Sequence, residues 1–171
     1  MKKIVLLLLV LCTQFQTSNA QVYPFYDDYE SYTPFNVPTG YTGDITVYLT
    51  HGTLGSNGLA GYLTSFSNKD SLIFPAIGPL PSASVLEFDW RLMDPFLYPS
   101  TAATLAPGDS FNILLSTDSI TWTSIFTINS SNFPGATTFE NTLISLDTYA
   151  GQNILLKIKG TRANGSAEFF I

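Results

Sequence analysis

Alternation of apolar and polar side chains is the strongest signal in the chain. Across residues 85–92, "VLEFDWRL", Leu86, Phe88, Trp90 and Leu92 fall on one side, and Val85, Glu87, Asp89 and Arg91 on the other. A period of two belongs to a strand with one buried face. The pattern returns where Phe111, Ile113 and Leu115 oppose Asn112, Leu114 and Ser116, and where Ile154, Leu156 and Ile158 oppose Leu155, Lys157 and Lys159. Residues 25–30, 45–49, 59–63, 71–74, 122–128, 138–146 and 167–171 predict shorter strands. Between them stand "VPTG", "GSNG", "IGPLP", "APGD" and "RANGS", each rich in residues that reverse a chain. No segment holds helical spacing for any length. Many short strands, each with one wet face, predict an all-β fold: an antiparallel β-sandwich of the jelly-roll type. The longest irregular stretch, residues 94–108, "DPFLYPSTAATLAPG", exceeds what a connection needs, and loops of that length are commonly functional.

The first 20 residues stand apart. Lys2 and Lys3 precede the apolar run "IVLLLLVLC", and a polar stretch then ends in "SNA". This is the pattern of a secretory signal peptide cleaved before Gln21, and the run falls short of the roughly 20 residues of a membrane-spanning helix. Leu11 precedes Cys12 where lipoprotein processing wants a small residue, so an ordinary export signal is expected. Removing 20 of 171 residues leaves 151, a length that suits one domain. Cys12 is the only cysteine, so the mature chain has no internal disulfide to lean on. Without Lys2 and Lys3, 5 basic residues face 13 acidic ones, a formal charge of −8. That balance argues against nucleic acid or an anionic membrane surface as partner, because both need basic patches.

Residues for catalysis are sparse. His51, in "YLTHGTLGSNG", is the single histidine, there is no G-x-S-x-G elbow, and a loop histidine bonded to its neighbours is the plainer reading. Zinc would require more His or Cys ligands. The glycines of "GTLGSNG" lack the Lys-Ser/Thr ending of a phosphate loop. Glu30, Glu87, Asp89 and Glu140 are the carboxylates that glycosidase chemistry could use, but sequence gives no separation between them, and solvation suits Glu87 and Asp89 beside Arg91. The cluster "PFYDDYESY" differs. It would place Asp28 and Glu30 on one side of a strand, with Asp27 adjacent and no cation between them. Hard oxygens so arranged suit Ca²⁺, while an acidic edge that resists strand addition is the structural alternative.

The order of these features resembles the cleaved adhesin, or choice-of-anchor J, domains of secreted Bacteroidetes surface proteins, relatives in shape of the MAM domain. The likeness runs from "FYDDYES" through "SLIFPAI", "SVLEFDWRL" and "GDSFNILLSTDSITWTSIF" to "ISLDTYAGQNILLKIKGT" and "GSAEFFI". It implies a galactose-binding-like or MAM-like sandwich over residues 21–171. It also implies that the Ser-Thr-Asp…Trp element is a hairpin corner, with Asp118 and Ser119 bonding turn backbone and Trp122 packing where the next strand starts. Ser119 and Ile120 stand where the family often carries glycines. The family's strand that begins like "EFFI" continues into acidic residues, so the resemblance implies a truncated C-terminal strand and further domains beyond Ile171. Asp28 and Glu30 carry over as calcium ligands, with backbone around Asn57 completing a structural Ca²⁺ site. The implied function is a secreted, non-catalytic binding or adhesion module for a glycan or surface protein, without membrane insertion. Tyr26, Tyr32, Phe96 and Tyr98 are the aromatic candidates for its ligand face. A structural accessory domain of a larger exported protein is the alternative.

Overall fold

The computed structural model describes residues 25–63, 68–163 and 167–171. The signal peptide expected over residues 1–20 lies outside them. Within the described residues the strands are β1 (Thr42–Gly43), β2 (Thr46–Tyr48), β3 (Gly58–Leu63), β4 (Asn68–Lys69), β5 (Ser71–Ile73) and β6 (Val85–Met93). They continue as β7 (Ser110–Ser116), β8 (Thr123–Asn129), β9 (Glu140–Ser145), β10 (Leu155–Thr161) and β11 (Ala167–Phe170). Two short 3-10 turns, Thr53–Gly55 and Asp147–Tyr149, are the helical content among them.

One sheet runs in the order β1-β5-β10-β7-β8 and the other in the order β2-β3-β11-β6-β9, with β4 attached to β3. Every pairing is antiparallel. From β5 onward the chain passes between the sheets at nearly every connection, the habit of a jelly roll. The period-two reading decides which side chains meet in the middle. Trp90 and Leu92 of β6 face Phe111, Ile113 and Leu115 of β7 and Leu156 and Ile158 of β10, all buried in one cluster. Trp90 stays satisfied there because its indole N–H donates to Thr142 Oγ1 at 2.9 Å.

Phe169 of β11 fixes the spacing of the layers. Its ring lies over Gly61, its cross-strand partner in β3, and against Gly160 of β10 in the opposite sheet. A Cβ built on Gly61 would stand 2.2 Å from Phe169 Cζ, and one on Gly160 would stand 2.8 Å from Phe169 Cε1. The two missing methyls are therefore the seat of one phenyl ring.

Residues 25–30 correct the sequence reading. They form a turn, not a strand. Asp27 Oδ1 accepts the Tyr29 N–H at 3.0 Å and Asp28 Oδ1 accepts the Glu30 N–H at 3.1 Å. Tyr29 takes a positive φ of 61°. Two consecutive aspartates offer the backbone local acceptors that compete with a ladder, and here the local bonds win.

The Ser-Thr-Asp…Trp element is a corner between β7 and β8. Asp118 Oδ1 accepts the N–H groups of Ile120 at 2.8 Å and Thr121 at 2.7 Å, and the Ser116 hydroxyl donates to it at 3.0 Å. Those backbone bonds, chiefly that from Thr121, hold the Asp118 carboxyl down to about 2. Trp122 follows, with the Lys157 ammonium 4.0 Å above its ring.

Candidate functional site

Two surface features follow from this frame. The first is a ribbon of rings on the outer side of the six-stranded sheet. Tyr48 of β2 and Tyr62 of β3 point outward there, with ring centroids 5.6 Å apart. Phe35 meets Tyr48 edge-on at 5.1 Å, because the segment that carries Phe35 bonds both backbone groups of Val47 along the edge of β2. His51 lies 5.3 Å from Tyr48 and stacks on Tyr98 at 4.7 Å with an interplanar angle of 7°. Its Nδ1 is 2.5 Å from the Leu49 carbonyl oxygen. A carbonyl only accepts, so Nδ1 carries the proton and the ring orientation is fixed.

Arg91 organises the far end of the ribbon. Its Nη2 donates to the Tyr98 hydroxyl at 2.8 Å and to the His51 carbonyl at 3.3 Å. Its guanidinium lies 4.3 Å from the Phe139 ring centroid and 5.2 Å from that of Tyr98. Arg91 therefore departs from the wet-face reading of β6. Val85 and Glu87 are exposed, but from Arg91 onward the outward side lies beneath aromatic rings, and Met93 is fully buried.

The long irregular stretch after β6 supplies that cover. Asp94 Oδ1 accepts the N–H groups of Phe96 and Leu97, and an Asp94–Thr101 backbone bond and a Met93–Ala102 bridge fold the loop back on the strand end. This places Tyr98 over Arg91 and leaves Phe96 68% exposed. Phe35 is 61% exposed.

The second feature is a groove of about 1000 Å³ lined by residues 25–30, the loop 52–57 and the first half of β6. Tyr26, 83% exposed, lies on its wall rather than in the ribbon. Asp28 and Glu30 also line it. Glu30 Oε1 accepts the backbone N–H of Asn57 at 2.6 Å, so the expected neighbours Glu30 and Asn57 do meet. Their contact spends a carboxylate oxygen on an N–H donor, and the Asp28 carboxylate turns to the Glu30 N–H. Calcium takes six to eight oxygens. Among the described residues no three His, Cys, Asp or Glu side chains gather to hold a metal.

Tyr32 belongs to neither feature. Asp27 Oδ2 accepts its hydroxyl at 2.8 Å and that of Tyr41 at 2.6 Å, pinning the first turn beside β1. Burial, reinforced by the Asp27 carboxylate, pushes Tyr32 up to about 12 and raises Tyr29 and Tyr41 further.

Of the aromatic candidates, then, Tyr98 and the exposed Phe96 sit at the ribbon end, Tyr26 at the groove, and Tyr32 in a structural knot. Sequence reading missed Phe35, Tyr48, His51, Arg91 and Phe139 as a group. They come from separate segments, and only the pairing of the six-stranded sheet and the folded-back loop bring them together.

The architecture is that of a β-sandwich module. Among solved structures it is similar to the K1 cleaved adhesin domain of Lys-gingipain from Porphyromonas gingivalis W83, with a TM-score of 0.53, 12% identity, and coverage of 81% of this chain and 92% of that one. The Lys-gingipain K3 domain matches with a TM-score of 0.43 and 11% identity over 80% of this chain and 92% of that one. The Clostridium thermocellum xylanase 10B CBM22-1-GH10 modules, solved with xylohexaose, match with a TM-score of 0.47 and 14% identity, over 84% of this chain and 26% of that one. No family model and no curated protein sequence matches the chain. At 12% identity the likeness to the K1 domain speaks for the fold alone. No helix among the described residues is long and apolar enough to cross a membrane.

Proposed function

We propose that this chain is an exported, non-catalytic binding module that takes a glycan against the aromatic ribbon of its six-stranded sheet. The observation that supports the reading is the run of touching rings from Phe35 through Tyr48 and His51 to Tyr98, with polar edges from Tyr98 and Arg91. Sugar rings present apolar faces to aromatic side chains and hydroxyls to fixed polar groups, and this surface offers both without a reactive centre. Bonding within the ribbon holds its rings in place before a ligand arrives, which lowers the ordering cost of binding.

A glycan array probed with the purified chain tests the reading. Binding to a related set of oligosaccharides, lost on Phe35→Ala and Tyr98→Ala in protein that melts as a folded domain, is the expected result. Uniform silence across the array would replace it with the accessory-domain role.

A further inference from the structure

Of the sheet edges in the described residues, that of β9 is the long, regular one left open. The edge of β2 is taken by the segment before it, since the Phe35 N–H donates to the Val47 carbonyl at 2.7 Å and the Val47 N–H to that of Asn36 at 3.0 Å. In the five-stranded sheet β1 is two residues long, and β8 is bent by a bulge opposite Ile113 and Leu114. β9 instead pairs with β6 over six consecutive positions, from Trp90–Glu140 to Val85–Ser145, with no shift in register. Its sequence, "ENTLIS", carries none of the lysines or prolines that blunt an edge. Among the described residues no segment pairs with its other side.

The ladder tells which groups face that open side. β11 occupies one side of β6; on the other, the Leu92 carbonyl accepts the Ala103 N–H at 3.1 Å. Bonding direction alternates along an antiparallel strand, so Trp90, Phe88 and Leu86 also bond away from β11, toward Glu140, Thr142 and Ile144 of β9. The N–H and C=O groups of Asn141, Leu143 and Ser145 consequently point out from the sheet edge. Their side chains stand exposed on the outer face, Leu143 by 64%.

We infer that this edge is a docking surface for a second copy of the chain, β9 pairing antiparallel with β9 about a two-fold axis through Leu143. Leu143 then faces Leu143 and Asn141 faces Ser145, and each such pairing exchanges two backbone hydrogen bonds. The leucine argues for this occupant: a two-fold centred on it covers an exposed apolar side chain in mid-strand with its equal.

Charge agrees. Glu140, the ionised residue of the strand, falls opposite Leu146 and not opposite its own copy. Glu87, in register with Leu143, lies three strand spacings from Glu87 of the second copy, about 14 Å against a screening length of about 8 Å. The Asn141 side-chain amide bonds Glu87 at 3.2 Å and Asp89 at 2.9 Å, holding both carboxylates to their own sheet. The seam lies at the edge opposite β2 and does not rest on the glycan reading.

Sedimentation equilibrium of the chain, from the micromolar into the millimolar range, tests the seam. The mass should climb toward twice that of the monomer. At the upper end the Asn141, Leu143 and Ser145 amides should exchange about tenfold more slowly, whereas those of Thr142 and Ile144, bonded to β6 in either state, stay protected throughout. Leu143→Lys sets two cations face to face at the axis and should restore the monomer mass, with Tm in dilute solution within about 2 °C of the parent. Ile120→Lys, at the exposed corner after β7, should associate like the parent. A monomer mass at every concentration, a dimer that survives Leu143→Lys, or association that leaves those three amides fast would overturn the assignment.

Discussion

Replacing Phe169 with alanine removes the side chain that spans both sheets. Phe169 is 1% exposed, and its ring centroid lies 5.0 Å from that of Phe111, tilted by 42°, while the ring rests on Gly61 and Gly160. A large-to-small change at such a site costs about 3–5 kcal/mol, the transfer of the ring plus the cavity left behind. For a domain of this size that lowers Tm by roughly 6–20 °C. Gly61→Ala attacks the same contact from the other side. Its methyl would lie 2.2 Å from Phe169 Cζ, and the ring cannot retreat because Gly160 already touches it from the facing sheet. Overpacking of this kind costs about 1–3 kcal/mol. In the double variant the new methyl enters the space the ring has left. The two changes should then be less harmful together than their sum by about 0.5–3 kcal/mol. Urea unfolding of the four proteins, with constant m-values, measures this cycle. Additive effects, or a Gly61→Ala variant within 0.5 kcal/mol of the parent, would refute the seat assigned to the ring.

Four further outcomes are expected. Tyr29, Tyr32 and Tyr41 hold their protons more tightly in the fold than at the ordinary value of 10.0, so their contribution is intact below pH 10 and is lost as pH rises through about 12 and beyond. The melting temperature should fall over that range, with phenolate absorbance rising alongside unfolding; Asp27→Asn should lower Tm at neutral pH and flatten the alkaline fall, whereas a flat parent profile would contradict the knot. Asp118 is held below its ordinary 3.8, so its contribution is present above pH 3.8 and fades as pH falls through about 2; Asp118→Ala should be less stable than the parent at pH 6 and draw level near pH 2. Millimolar calcium against chelator should raise Tm modestly, because an extracellular site of Kd near 10⁻⁴–10⁻³ M on Asp28 and Glu30 adds only about 0.4–1.4 kcal/mol by mass action; identical melting curves, or a rise that persists in Asp28→Ala/Glu30→Ala, would remove the site. Arg91→Ala should release Tyr98 and His51 together and be read as loss of their ring-current-shifted NMR signals, while unchanged shifts would show that Arg91 does not organise the ribbon.

The strands were legible where a single face decides everything. In β6, β7 and β10 alternate residues go to the core, so a period of two in sequence translates directly into burial. The first acidic segment was misread for a local reason: Asp27 and Asp28 satisfy the backbone two residues ahead, and no periodicity reports that competition. The hairpin corner was readable because Asp118 acts on its immediate neighbours. The ribbon was not, since Phe35, Tyr48, His51, Arg91 and Tyr98 become adjacent only through sheet order and a loop that folds back. Even the residues that were flagged divide by environment. Tyr32 and Tyr98 look alike in sequence, yet one bonds a carboxylate beside β1 and the other stacks on an imidazole.

Calorimetric titration with the strongest glycan from the array tests the binding surface most directly. Phe35→Ala and Tyr98→Ala should each weaken Kd by roughly 2- to 12-fold, as expected from the loss of one aromatic contact of about 0.5–1.5 kcal/mol. Tyr26→Ala, at the groove, should leave Kd within about twofold of the parent. The reverse pattern, with Tyr26 essential and the ribbon variants silent, would contradict the account.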